Sequence, residues 1–133
     1  MVTTIEFKPF LLRSASNYYW ASGTQWVTVS SLTPLTSGNH LTPTSITVSG
    51  YITNTNYQEY VRYVMHYADG TSYYSESYLA STNSWQTLAA DNIPVHAGMR
   101  GTVISIDVQV RKTSSASYGA YGRVEVSGFE TTP

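Results

Sequence analysis

The chain has 133 residues, a formal net charge of -1 and only 11% charged side chains. That length suits one domain, and so sparse a charge gives no basic surface to hold a nucleic acid by counterion release or to dock on an anionic membrane. There is no cysteine, which excludes thiol chemistry and thiolate metal sites.

Hydrophobicity alternates with period two along nearly the whole chain, the mark of half-buried strands. TIEFKPF at 4–10 is the first strand candidate, and its Pro9 belongs at a sheet edge or a bulge. SASNYYWASGTQW at 14–26 places Tyr18, Tyr19 and Trp20 side by side. Three consecutive rings on an extended strand cannot share one interior, so at least one faces outward. QWVTVSSL at 25–32 reads as a strand and SGNHLTPT at 37–44 as a loop. In 46–52, Ile46, Val48 and Ile52 share one parity while Thr47 and Tyr51 take the other, and TNTN at 53–56 is a polar turn.

EYVRYVMHY at 59–67 has an apolar face of Val61, Tyr63, Met65 and Tyr67 with Glu59 on the same parity. Its mixed face carries Tyr60, Arg62, Val64 and His66. ADGT at 68–71 is a hairpin signal, because Asp-Gly tolerates the positive φ of tight turns. The returning strand, 72–79, sets Tyr74, Glu76 and Tyr78 on one face and Tyr73, Ser75, Ser77 and Leu79 on the other. LAAD at 88–91 reads as one helical turn. In TVISIDVQVR at 102–111, Ile104, Ile106, Val108 and Val110 are expected to point in, and Ser105, Asp107, Gln109 and Arg111 out. A small-residue loop at 112–119 leads to a last strand, 120–129, with Val124 and Val126 in and Arg123 and Glu125 out. Trp26 and Trp85 are read as core, like Tyr63 and Tyr67. Seven to nine short antiparallel strands imply an all-β fold: a single domain over 1–133, built as a two-sheet β-sandwich of jelly-roll or immunoglobulin-like type, with a small barrel as the rival.

The chemistry-bearing residues are few. Glycosidase chemistry needs two carboxylates set roughly 5 Å or 7–9 Å apart across a cleft. Here Asp69 has a turn to explain it, Asp107 and Glu125 lie on solvent parity, and Glu76 is the one acid on an aromatic face. His40, His66 and His96 lack metal-ligand spacing, and neither a phosphate loop nor a nucleophile elbow occurs. Calcium on loop acids such as Asp69 or Asp91 lacks the dense acidic ligand set of a calcium loop. The expectation is a non-enzyme with no metal and no cofactor.

Aromatic residues make up 14% of the chain, with 12 tyrosines, and serine and threonine number 18 each. Exposed rings flanked by hydrogen-bonding groups suit the apolar faces and hydroxyl rims of sugars, and three places offer them. The first is Asn17, Tyr18, Tyr19 and Trp20 with Gln25. The second is Tyr60, Arg62 and His66 beside Tyr74, Glu76 and Tyr78. The third is the loop of Asn83 and Trp85. The same tyrosines would equally serve a subunit interface.

ITVSGYITNTNYQEYVRYVMHY, residues 46–67, resembles the start of a starch- or glycogen-binding module of the family-21 carbohydrate-binding type. Ile52 and Asn54 match that family's Val-x-Asn-like step, Tyr57 its aromatic residue and Val61 its valine-rich strand. Glu59 stands where the family prefers lysine, and the tryptophan that soon follows in the family is absent. The resemblance implies a β-sandwich and adds Asn54 and Tyr57 as sugar contacts.

The leading expectation is therefore non-catalytic carbohydrate binding, as a lectin or a module, with a glycan or polysaccharide as partner. The alternative is a structural or assembly protein, a coat, fibre or adhesive domain that forms homo-oligomers through its tyrosine-rich face. A pore-forming or defence protein would need a segment able to leave the sheet, and only the first 30 residues are loose enough. The composition suits an extracellular or surface-associated protein. MVTTIEFKPF carries no basic-then-apolar signal region, a cytoplasmic location stays open, and no apolar run of about 20 residues is present to span a membrane.

Overall fold

A computed structural model describes residues 7–13, 17–19, 23–92 and 103–131. They form ten strands: β1 (Phe7–Arg13), β2 (Asn17–Tyr19), β3 (Val27–Leu32), β4 (His40–Ile52), β5 (Glu59–Tyr67), β6 (Ser72–Tyr74), β7 (Tyr78–Ala80), β8 (Gln86–Asn92), β9 (Val103–Lys112) and β10 (Ala120–Thr131). All pairings are antiparallel. One layer runs β1 and β2, both on one side of β10, then β10, β4 and β8. The other runs β3, β9, β5, then β6 and β7, both on the far side of β5. Among the described residues one pair, Leu41 with Val103, joins the layers along one margin, so the sheet is curled over on itself. The chain is all-β, and this order of two four-position layers is jelly-roll-like.

The core lies between the layers and follows the alternation in the sequence. Ile46, Val48, Val61, Tyr63, Met65, Tyr67, Ile106, Val108, Val110, Val124 and Val126 are all buried. Full burial of each such side chain contributes about 1.5–3 kcal/mol. Two glycines set how closely the layers approach. Gly50 and Gly122 are register partners on β4 and β10. A Cβ on Gly122 would lie 2.8 Å from a Val110 methyl, and one on Gly50 would lie 2.8 Å from the Ala80 Cβ and 2.9 Å from Glu59 Oε1. The Asp-Gly hairpin forms as the sequence predicts. Gly70 has φ +89, and Asp69 Oδ1 accepts from the Thr71 backbone N–H and hydroxyl.

Several expectations are corrected. Ile104 is 43% exposed rather than inward. The β5–β9 register shifts between Tyr67–Val103 and His66–Ser105, so Ile104 has no opposite residue and Val103 takes the inward place. Residues 88–91 are strand, not a helical turn. The flank of β4 offers a ladder to β8, and Leu88 and Ala89 pack on the core, which outweighs the helix preference of Leu-Ala-Ala. The expected loop at 37–44 is strand from His40 onward, and its Pro43 falls where the β4–β10 register shifts. The 72–79 strand is broken at 75–77. Ser75 turns inward, its hydroxyl accepting from Tyr63 N–H and donating to the Glu76 carbonyl. Pro9 lies on the edge strand β1, as expected.

Candidate functional site

The outward face of the β3-β9-β5-β6 layer is where the polar and aromatic residues converge. Cross-strand register does the gathering: Arg62 is opposite Gln109, Gln109 is opposite Thr28, and Tyr60 is opposite Arg111. Arg62 Nε donates to Gln109 Oε1 at 2.8 Å, and Gln109 Nε2 donates to Thr28 Oγ1 at 3.1 Å, a ladder across three strands. The Arg62 guanidinium lies 4.0 Å from the Trp26 ring centre and 4.8 Å from that of Tyr74. Arg111 lies 4.9 Å from Tyr60 and 5.4 Å from Trp26. Stacking of this kind is worth about 0.5–2 kcal/mol per contact. It also fixes both guanidinium planes.

Neither arginine meets a carboxylate within ion-pair distance among the described residues. Arg111 Nε is buried with no acceptor. Partial burial holds the Arg62 guanidinium below its ordinary range; Tyr74 opposes that shift and the like charge of Arg111 adds to it.

Beside this cluster runs a second hydrogen-bonded chain. His66 Nε2 is 2.7 Å from Asp107 Oδ2, His66 Nδ1 is 2.9 Å from Ser72 Oγ, and Ser31 Oγ donates to Asp107 Oδ1 at 2.6 Å. A neutral ring with its proton on Nε2 donates to Asp107 and accepts from Ser72. The lengths match a Ser-His-Asp triad, but acyl transfer also requires a cleft and converging oxyanion donors. This chain lies across neighbouring strands on the outward face of a sheet, and it ties β3, β9, β5 and β6 together. Among the described residues no group of three or more His, Asp or Glu is gathered to hold a metal ion.

The other candidate residues scatter. Tyr60 and Tyr74 join the arginine cluster, Tyr74 being 56% exposed. Glu76 is exposed on the bend after β6. Tyr78 leaves that face and packs against the core, because the break at 75–77 resets the alternation. Asn54 is committed to its own turn, its Oδ1 accepting from Asn56 N–H and its carbonyl from Tyr57 N–H. Tyr57 stacks on buried Tyr118 at 4.8 Å. Trp85 lies on the outward face of the other layer, against Tyr51 and Tyr121 and under Arg123 at 4.0 Å. Trp26 and Trp85 are thus half-buried beneath arginines on opposite outer faces, not core as the sequence suggested. Asn17, Tyr18 and Tyr19 form β2 against β10, and Trp20 lies outside the described residues. Sequence reasoning missed Trp26, Gln109, Arg111 and the His66–Asp107 link as site members. The outward parity of β9 was the available signal, but the strands facing it were not.

No protein-family model matches the chain, and no curated protein does. Solved structures do share its fold, among them particle proteins of a virus. The VP2 subviral particle of infectious bursal disease virus matches with a TM-score of 0.64 at 12% identity, over 94% of this chain and 36% of that one. The T13 particle of the same virus gives 0.60 at 13%, over 92% and 34%. T=1 particles of its D431N VP2 mutant give 0.59 at 15%, over 93% and 35%. The chain spans about a third of the length of these proteins. The likeness overturns the resemblance of residues 46–67 to starch- and glycogen-binding modules, which rested on a strand-turn-strand pattern that many β-folds share. The carbohydrate-binding expectation, with a lectin role and a glycan partner, falls with it, since Asn54 and Tyr57 are also occupied inside the chain.

Proposed function

We propose that the chain is a non-catalytic structural subunit, a single jelly-roll domain over 1–133 that builds or decorates a particle by packing against other subunits. The observation that carries this reading is the overlap of nearly the whole chain, 94%, with a VP2 particle structure at a TM-score of 0.64. The surface supports it. Aromatic residues and arginine are enriched in subunit interfaces, and both outer faces carry arginine stacked on tryptophan. Tyr60, Tyr74 and Glu76 are then interface residues, and the protein's place is at a particle surface. Sedimentation velocity over a concentration series, with negative-stain microscopy of the same samples, tests this. The expected result is association that grows with concentration; a chain that stays monomeric throughout overturns the reading.

A further inference from the structure

Among the described residues, Arg62 and Arg111 have no carboxylate as ion-pair partner. Arg62 and Arg111 are close enough for one to shift the other. Both are fixed over Trp26, Tyr60 and Tyr74. A guanidinium presents several N–H donors in a rigid plane, matched to the two oxygens of a carboxylate. Arg62 has committed Nε to Gln109 and the Arg111 Nε is buried, so the terminal nitrogens of the two guanidiniums are the donors left for a partner.

The acids whose side chains are described can be taken one by one. Asp107 is held by Ser31 and His66, and Asp69 by Thr71. Glu130 is buried among loop donors, and Glu59 is buried beside Gly50. Glu125 is engaged. Glu76 remains, exposed, with a carboxylate that makes no hydrogen bond or ion pair among the described residues. It sits two residues beyond Tyr74, the ring under which Arg62 is stacked, on the bend joining the two short strands at the margin of the same layer. A patch that carries an unmatched acid and unmatched bases is self-complementary: two copies related by a two-fold axis satisfy both at once.

Resting on the assembly reading above, we propose that Arg62 and Arg111 form a carboxylate clamp that receives Glu76 of a second copy of this chain, twice across a two-fold contact. Glu76→Arg and Arg62→Glu each place like charges in the contact, so each weakens self-association by at least about tenfold; the Glu76→Arg melt is unchanged, while Arg62→Glu also loses its stacking on Trp26 and Tyr74 and melts lower. The double variant restores the opposite pairing and returns association to within about threefold of wild type. Added salt weakens the wild-type contact by screening.

The measurement is sedimentation velocity on the full chain, with inorganic sulfate titrated calorimetrically in parallel. Single variants that associate like wild type, or a double variant that fails to recover, overturn the clamp while leaving assembly standing. A wild-type chain that is monomeric throughout overturns both. Sulfate that binds the arginines without lowering association overturns the contact in favour of a free anion site. Should either charge reversal unfold the chain, Glu76→Gln and Arg62→Gln replace it, each expected to weaken association.

Discussion

Among the described residues the two ends of the sandwich each bury one glutamate, and they treat it in opposite ways. At the end where Leu41 pairs with Val103, Glu130 is 3% exposed. Its Oε1 accepts from Thr36 N–H at 2.8 Å and Asn39 Nδ2 at 3.0 Å, and its Oε2 accepts from Leu35 N–H at 3.0 Å. At the other end Glu59 is 0% exposed. It accepts one bond, from Tyr51 N–H at 3.1 Å, and its Oε2 meets no donor. Its register partner Lys112, also 0% exposed, turns its ammonium to the Ala116 carbonyl at 2.7 Å and to the Tyr118 ring. Burial alone therefore does not decide the state of a carboxyl; the donors aimed at it do. Glu130 organises a loop, whereas Glu59 is a carboxyl that the fold keeps protonated.

The largest effect expected from this contrast is a pH dependence. Burial raises the Glu59 carboxyl from 4.5 to about 9, and the Tyr51 bond only partly opposes it. Between those values the folded chain holds a proton that the unfolded chain has lost. The contribution is whole below about pH 4.5 and is lost as pH rises toward 9. Each pH unit inside the window weighs roughly 1.4 kcal/mol, so urea stability should fall by up to about 4 kcal/mol between about pH 5 and pH 8. Burial lowers the Lys112 ammonium, which acts in the opposite sense nearer its own range, so the titration stops at about pH 8. Glu59→Gln keeps the acceptor for Tyr51 and carries no charge; its stability should be nearly flat over the same range. An equal slope in both proteins would place the titrating group elsewhere.

Glu130→Ala sharpens the comparison from the other end. It strips the acceptor from three donors, and exposed Leu35 shows that water can reach part of that loop. The expected loss is about 2–3 kcal/mol. Hydrogen exchange should show the Leu35 and Thr36 amides losing protection while the β5 and β9 amides lose only the global share.

Both ends were partly written in the sequence. The period-two pattern placed Glu59 on the apolar parity of its strand, and the alternation of 59–67 and 120–129 and the Asp-Gly turn were all legible. What turned Glu59 into a buried acid was not: Ala80 faces it across the β5–β7 pair, and Gly50, which its Oε1 approaches, comes from the opposite layer and meets it only after the layers close. The same limit hid the arginine cluster. Trp26, Arg62 and Arg111 lie far apart in the chain, and only the β3-β9-β5 register brings them together. Ile104 shows the converse failure, since a bulge inverts parity without any Gly or Pro to announce it. The starch-module likeness failed for a related reason: a strand, a polar turn and an aromatic residue describe local chemistry, and Asn54 and Tyr57 satisfy that chemistry within their own loop.

The smallest effect belongs to Tyr118, which closes the Glu59 end. It is 1% exposed; its hydroxyl donates to the Gln58 carbonyl at 2.6 Å and accepts from Thr113 N–H at 3.2 Å. Tyr118→Phe keeps the stack on Tyr57 and the ring beneath Lys112. It leaves few groups orphaned, because Thr113 N–H and Oγ1 both reach the Gln58 carbonyl as well, at 3.2 and 2.9 Å. The loss should be about 1 kcal/mol by urea unfolding, the net value of one ordinary hydrogen bond. A loss as large as that of Glu130→Ala would mean that the Tyr118 hydroxyl, not the packing of its ring, holds the 113–119 loop down, and the two ends would then depend on their polar anchors alike.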